Sequence, residues 1–184
     1  EVIEKKITKL EGGVSSVACA SGMAALFNAF MNVLSAGDEI VAAAGLYGGT
    51  VELFEDLEAF GITTKYVKEN RPESYEALIT DKTRVIFAET IGNPKLDVTD
   101  IGAVADMAHR HSLPLIIDNT VATPYLVKPL ELGADIVVNS SSKYINGNSD
   151  AISGILTWGG KFKWDGERYP GMKPYKKFGP MAYI

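Results

Sequence analysis

The sequence predicts an α/β domain in which a mostly parallel central sheet carries helices on both faces. Three observations carry this expectation. Apolar positions alternate regularly between helical spacing and short runs. Each short run is continuously apolar rather than alternating, as in strands buried on both faces. The 184 residues are 46% hydrophobic, enough to form one compact core.

The elements follow in order. Val2, Ile3, Ile7 and Leu10 have helical spacing, and Gly12-Gly13 stop that helix. Val17 to Ala20 reads as a short buried strand, and Met23 to Leu34 as an apolar helix ending before Ala36-Gly37-Asp38. Glu39 to Ala44 is a strand, followed by the loop Leu46-Tyr47-Gly48-Gly49. Val51 to Phe60 is a helix closed by Gly61, and Ile62 to Val67 is β-branched and strand-like. Ser74 to Ile79 is a short helix and Arg84 to Ala88 a strand. Ile91 to Leu96 is a loop broken by Gly-Asn-Pro. Thr99 to His111 is a helix with Thr99 as its cap. Leu115 to Ile117 is a strand, and Leu130 to Leu132 a helical turn ended by Gly133. Asp135 to Asn139 and Ala151 to Thr157 are the last two strands. Residues 1–158 form the predicted domain. From Trp158 onward the Gly-, Lys- and Pro-rich text (GGKFKWDGERYPGMKPYKKFGP) reads as an irregular excursion leaving it over 159–184.

Bulk properties exclude several classes of function. The net charge is -5, and no basic run suits nucleic acid or an anionic membrane. No apolar stretch reaches the roughly 18 residues of a membrane span. The N-terminal EVIEKKITKL is charged and is not a signal peptide. The single cysteine, Cys19, excludes an intrachain disulfide and points to a reducing, cytoplasmic setting. Two histidines and one cysteine leave little material for a metal site. Glu1 opens inside a helical pattern without a methionine, and the chain closes on the apolar Ala182-Tyr183-Ile184. Both are expected of part of a longer protein.

Open parallel sheets bind ligands beyond the carboxyl ends of their strands. The small and polar residues of this chain collect at those ends. Ser21-Gly22-Met23 opens a helix after the first strand, offering backbone N–H groups and a hydroxyl to an anion. A plain serine cap is the simpler alternative. Neither dinucleotide nor P-loop glycine spacing is present. Asp118 ends the apolar strand LPLIID, where a carboxylate loses hydration and needs a positive partner or the hydrogen bonds of a cap. Ser140-Ser141-Ser142-Lys143 follows the strand Asp135–Asn139. Most lysines at strand ends are exposed; a catalytic one needs burial to lower its pKa. If the strand continues, Ser140 and Ser142 face one way and Ser141 the other. A lysine, an aspartate and a helix-end anion site are the three contacts that pyridoxal 5'-phosphate (PLP) demands. Tyr47 is an aromatic candidate to stack on the ring, or else a core tyrosine.

The stretches ASGMAAL (20–26), LYGGT (46–50), ETIGNP (89–94), DNTVATPYL (118–126) and SSSKYINGNSD (140–150) resemble the cysteine/methionine-metabolism family of PLP enzymes. That family shares the fold-type-I aminotransferase architecture, which makes 1–158 its PLP-binding large domain. Within the family, ETIGNP, LYGGT and GGKFKW look most like the O-acetylhomoserine sulfhydrylase branch. The resemblance implies that Lys143 forms the Schiff base and shuttles a proton, and that Asp118 pairs with the ring nitrogen. It implies Gly22, Met23, Ser140 and Ser142 as phosphate ligands with Ser21 nearby, and Tyr47 stacked on the ring and assisting proton movement. Asn93 would lie near the ring hydroxyl or substrate carboxylate, with Glu89 and Thr120 in support. Ser142 stands where many members have threonine, and Asn148 where histidine is common. The implied reaction is γ-replacement on O-acetyl-L-homoserine by sulfide, in a homodimer or homotetramer with shared active sites. The alternatives are methionine or cystathionine γ-lyase, cystathionine γ-synthase, or a truncated subunit that only assembles. An upstream Tyr/Arg segment and a C-terminal domain with a carboxylate-binding arginine, both found in the family, are not in this sequence. Residues 159–184 would lead towards that domain.

Overall fold

The computed structural model of the chain describes residues 2–172. A seven-stranded sheet lies at its centre. In chain order the elements are α1 (Val2–Glu11), β1 (Ser15–Cys19), α2 (Gly22–Val33), β2 (Glu39–Ala42), α3 (Gly48–Glu58), β3 (Thr63–Tyr66) and α4 (Pro72–Glu76). They continue with β4 (Thr83–Glu89), α5 (Ile101–Arg110), β5 (Leu115–Asp118), α6 (Thr123–Leu126), β6 (Ile136–Asn139) and β7 (Gly154–Trp158).

The strands lie in the order β1-β7-β6-β5-β4-β2-β3. β3, β2, β4, β5 and β6 pair in parallel. β7 is antiparallel to both β6 and β1, so β1 runs in the same sense as the rest. Nearly every residue of β4 and all of β6 are buried, so helices cover both faces there. α2 presents Ala25, Leu26, Ala29, Phe30 and Val33 as one apolar stripe. Phe30 meets Phe54 of α3 and Phe87 of β4 edge to face, with centroids 5.1 and 5.4 Å apart. Phe54 and Phe87 close the triangle at 5.5 Å.

Several expected elements move. β1 is not a buried strand: it is a sheet edge with one neighbour, and Ala18 is exposed. A short apolar run does not distinguish an edge from an interior strand. Gly48 and Gly49 belong to α3 rather than to the loop before it. α4 begins at Pro72, a residue preorganised for a first helical turn, and ends before Ala77. Thr99 does not cap α5. Asp100 does, its Oδ1 accepting from Ala103 N at 3.0 Å, while buried Thr99 donates to Glu89 O at 2.6 Å. α6 lies where the apolar pattern predicts no element, and Leu130 to Leu132 form a turn outside any helix.

Residues 159–172 are irregular apart from a 3-10 turn at Pro170–Met172, and they stay on the domain. They strap the amino ends of β4 and β5. Arg168 donates to the carbonyls of His111 (3.2 Å) and Thr83 (3.1 Å). Tyr169 OH lies 3.0 Å from Arg84 O and 3.3 Å from Ser112 O. Phe162 and Trp164 pack edge-on at 4.7 Å, and Trp164 meets Tyr169 at 5.2 Å. Glu1 and residues 173–184, which include the closing Ala182-Tyr183-Ile184, lie outside the described residues.

Candidate active site

A pocket of about 750 Å³ opens at the carboxyl edge of the sheet, within the size range of small-molecule sites. The structure brings all eleven predicted residues into its wall: Ser21, Gly22, Met23, Tyr47, Glu89, Asn93, Asp118, Thr120, Ser140, Ser142 and Lys143. They come from the ends of β1, β2, β4, β5 and β6, because every one of these strands runs towards the same edge. Leu26, Ile91, Val121, Tyr144 and Ile152 add apolar wall that motif reading did not single out.

The anion end is built by α2. Ser21 Oγ accepts from Ala24 N at 3.0 Å, so the serine is the cap of the helix. That leaves the first-turn N–H groups of Gly22 and Met23 without partners inside the helix, at its positive end. Gly22 is required here: an added Cβ would sit 2.6 Å from Ser140 Cβ. Cap and anion site are therefore compatible readings of the same residues.

The opposite end is a carboxylate. Asp118 ends β5, at the floor of the pocket. Burial raises its pKa, and hydrogen bonds from Thr120 oppose the rise. Thr120 N donates to Asp118 Oδ1 at 2.9 Å, and Thr120 Oγ1 accepts from Ser140 N at 2.7 Å. Thr120 thus links the carboxylate end to the anion end. Glu89, buried at the end of β4, clamps the third side. Its Oε1 accepts from Tyr47 N at 2.7 Å and its Oε2 from Asn93 N at 3.2 Å. Burial, with a smaller contribution from the Asp118 charge, pushes its pKa up to about 7 against those hydrogen bonds. Tyr47 is half exposed and lies over Gly49, where a Cβ would come 2.7 Å from its ring. The glycine pair serves this ring as well as the helix start.

Two expectations change around the lysine. β6 stops at Asn139, so Ser140 and Ser142 do not share a side by strand alternation. The chain turns instead, with Asn146 N donating to Ser141 O at 3.0 Å and Gly147 N to Lys143 O at 2.8 Å. Ser141 points away from the pocket and pairs with Ser153 Oγ at 2.7 Å. Ser142 Oγ donates to Ser153 O at 3.0 Å and accepts from Ser153 N at 2.9 Å. Its one proton is therefore engaged, and an anion would have to compete for it. Lys143 is exposed at the pocket wall, not buried as expected of a catalytic lysine. Asn148 is exposed and outside the wall.

Gly154 was missed. It opens β7 against α2, and an added Cβ would overlap the Ser21 carbonyl and lie 2.7 Å from Gly22 N. An isolated glycine at a strand start is the one signal that could have marked it. Among the described residues no cluster could hold a metal ion, and no helix is long and apolar enough to cross a membrane.

The residues fit PLP. The cavity has the volume, the end of α2 offers first-turn N–H groups beside a glycine, the Asp118 carboxylate has lost hydration and needs a positive partner, and Lys143 supplies an amine in the same wall. The family described as Cys/Met metabolism PLP-dependent enzyme matches residues 1–181. The chain is 51% identical over 170 residues to an O-acetyl-L-homoserine sulfhydrylase of Corynebacterium glutamicum, which covers 91% of this chain and 39% of that protein. A solved structure of a candidate O-acetylhomoserine (thiol)-lyase from Campylobacter jejuni, holding N'-pyridoxyl-lysine-5'-monophosphate, superposes with a TM-score of 0.89. It has 34% identity and covers 97% of this chain and 45% of its own. Cystathionine γ-lyase from Lactobacillus plantarum, complexed with L-serine, gives 0.82 at 44% identity, covering 85% and 41%. The chain therefore spans less than half the length of these relatives.

Proposed function

Because the chain belongs to the Cys/Met metabolism PLP-dependent enzyme family, we propose that its full-length protein replaces the γ-acetoxy group of O-acetyl-L-homoserine with sulfide, giving L-homocysteine and acetate. The observation that carries the reading is the pocket that gathers Lys143, Asp118 and the amino end of α2 on one sheet edge. The choice of substrate is supported by the 51% identity to the Corynebacterium sulfhydrylase. Residues 1–158 are the cofactor domain in this proposal, with the strap at 159–172 packed on it.

Bound PLP supplies an electron sink for charge that develops at the substrate's Cα. The chain's residues do the rest. Gly22 and Met23 N–H groups, with Ser21 and Ser140 hydroxyls, bind the phosphate at the positive helix end. Asp118 keeps a proton on the ring nitrogen, which its loss of hydration favours over standing alone. Thr120 orients that carboxylate. Tyr47 stacks on the ring, and Glu89 holds both Tyr47 and Asn93 in place through their N–H groups. Lys143 Nζ is the covalent attachment point and the base that moves the proton at Cα. Its exposure here is consistent with a pocket completed by another subunit. Tyr144 and Ile152, which are 70% and 79% exposed, leave apolar surface at the pocket wall. We place the enzyme in the cytoplasm as a homodimer or homotetramer.

The test supplies the full-length protein with O-acetylhomoserine with and without sulfide. Homocysteine is expected only with sulfide. Keto acid released from methionine would instead assign a lyase. Borohydride is expected to fix the cofactor on Lys143, and adduct formation in Lys143→Ala would overturn that role.

A further inference from the structure

Behind the pocket floor, three strand ends are tied to one carboxyl group. Glu11, the last residue of α1, is fully buried. Its Oε1 accepts from Asn139 Nδ2 at 2.8 Å and from Asn119 Nδ2 at 3.2 Å. Asn119 Nδ2 also donates to Val127 O at 2.9 Å, and its Oδ1 accepts from Thr90 Oγ1 at 2.7 Å. Each partner adjoins a pocket residue. Thr90 follows Glu89, Asn119 follows Asp118, and Asn139 precedes Ser140.

This cluster lacks a donor. Glu11 Oε2 and Asn139 Oδ1 are both buried without a hydrogen-bond partner among the described residues. An ionised carboxylate can only accept, so it would leave both atoms unsatisfied and a charge in the core. The two orphan atoms belong to the same two groups that the 2.8 Å bond already joins. One proton on Oε2 would serve both, because an acid and an amide can pair through two parallel hydrogen bonds. The cation that acts on Glu11 is Lys128, which is itself paired with Glu131 at 3.2 Å. Burial outweighs both this cation and the Asn139 and Asn119 hydrogen bonds that favour the ionised form, and raises the carboxyl above its ordinary pKa.

We propose that Glu11 is a neutral carboxylic acid in the folded protein and a positioning residue for the cofactor site. It accepts from the Asn139 amide, donates from Oε2 to Asn139 Oδ1, and so fixes the strand ends that carry Asp118 and Ser140. Its positioning role rests on the PLP reading of the pocket; its protonation does not.

The experiment takes the full-length protein, with Glu11→Gln and Glu11→Ala beside it. Infrared difference spectra of wild type against Glu11→Gln at neutral pH are expected to show one protonated-carboxyl band belonging to Glu11. Glu11→Gln, whose N–H replaces the acid O–H, should keep PLP affinity and the visible cofactor absorption within about twofold of wild type. Glu11→Ala should weaken PLP retention by about tenfold or more and shift that absorption. Absence of the band would overturn the protonation. Equal loss of PLP in both variants, or no loss in either, would overturn the positioning role. If Glu11→Ala does not fold, the band and the glutamine variant still decide. A wild-type protein that binds no PLP but shows the band would reject the cofactor reading and leave the protonation standing.

Discussion

At Glu89, two backbone N–H groups converge on a carboxyl whose loss of hydration favours its protonated form. Its pKa rises from an ordinary 4.5 to about 7, so its contribution to stability is fully present below 4.5. That contribution is lost as the pH climbs through about 7. Glu89 is therefore expected to account for about 3 kcal/mol of the stability that the cofactor-free protein loses between these limits in denaturant unfolding. In Glu89→Gln the share of the slope that Glu89 contributes should disappear, and a slope unchanged in the variant would remove Glu89 as a source. Gly154 sets a different residue-scale limit, one of space. In Gly154→Ala the new methyl must displace the Ser21–Gly22 peptide, and overpacking of this kind costs about 1–3 kcal/mol. Because that peptide opens the anion end of the pocket, PLP affinity should fall as well. Equilibrium dialysis of the folded variant checks it.

Among the elements, α2 has two jobs that one sequence pattern serves. Its apolar stripe packs on the sheet, while its amino end faces the pocket with unpaired N–H groups. The aromatic strap at 159–172 works at the other edge. There the Tyr169 hydroxyl reaches two carbonyls that precede or open strands, and Arg168 reaches two more. Tyr169→Phe keeps the ring packing and removes only the hydroxyl. It should cost about 1–2 kcal/mol in denaturant unfolding. The same substitution should raise hydrogen exchange at the amino ends of β4 and β5 and leave the pocket edge unchanged. Exchange rising equally at both edges would show that the strap has no local role.

Across the whole molecule, the predicted site residues gather at the carboxyl edge of the sheet, and part of the exposed apolar surface lies there too. Tyr144 and Ile152 of the pocket wall are 70% and 79% exposed. A second copy seated on this rim would cover them and exclude water from Lys143, strengthening electrostatic interactions inside the pocket. Ile152→Asp should accordingly lower the mass of the full-length protein in light scattering. An unchanged mass would place the subunit contact elsewhere.

What the sequence by itself determined was the fold class and the location of the chemistry. Hydrophobic period is a local property, so continuous apolar runs such as Arg84 to Ala88 announce buried parallel strands within a few residues. Strand direction then carries Ser21, Asp118 and Lys143 to one edge without knowledge of strand order. Tertiary structure alone decided the rest. It placed β1 at the edge, turned β7 antiparallel so that Gly154 meets Ser21, engaged the Ser142 hydroxyl with Ser153, and left Lys143 exposed. It also joined Glu11 to Asn139, 128 residues away. These outcomes depend on which segments become neighbours across the sheet, a choice made by the packing of the whole core and written in no single segment.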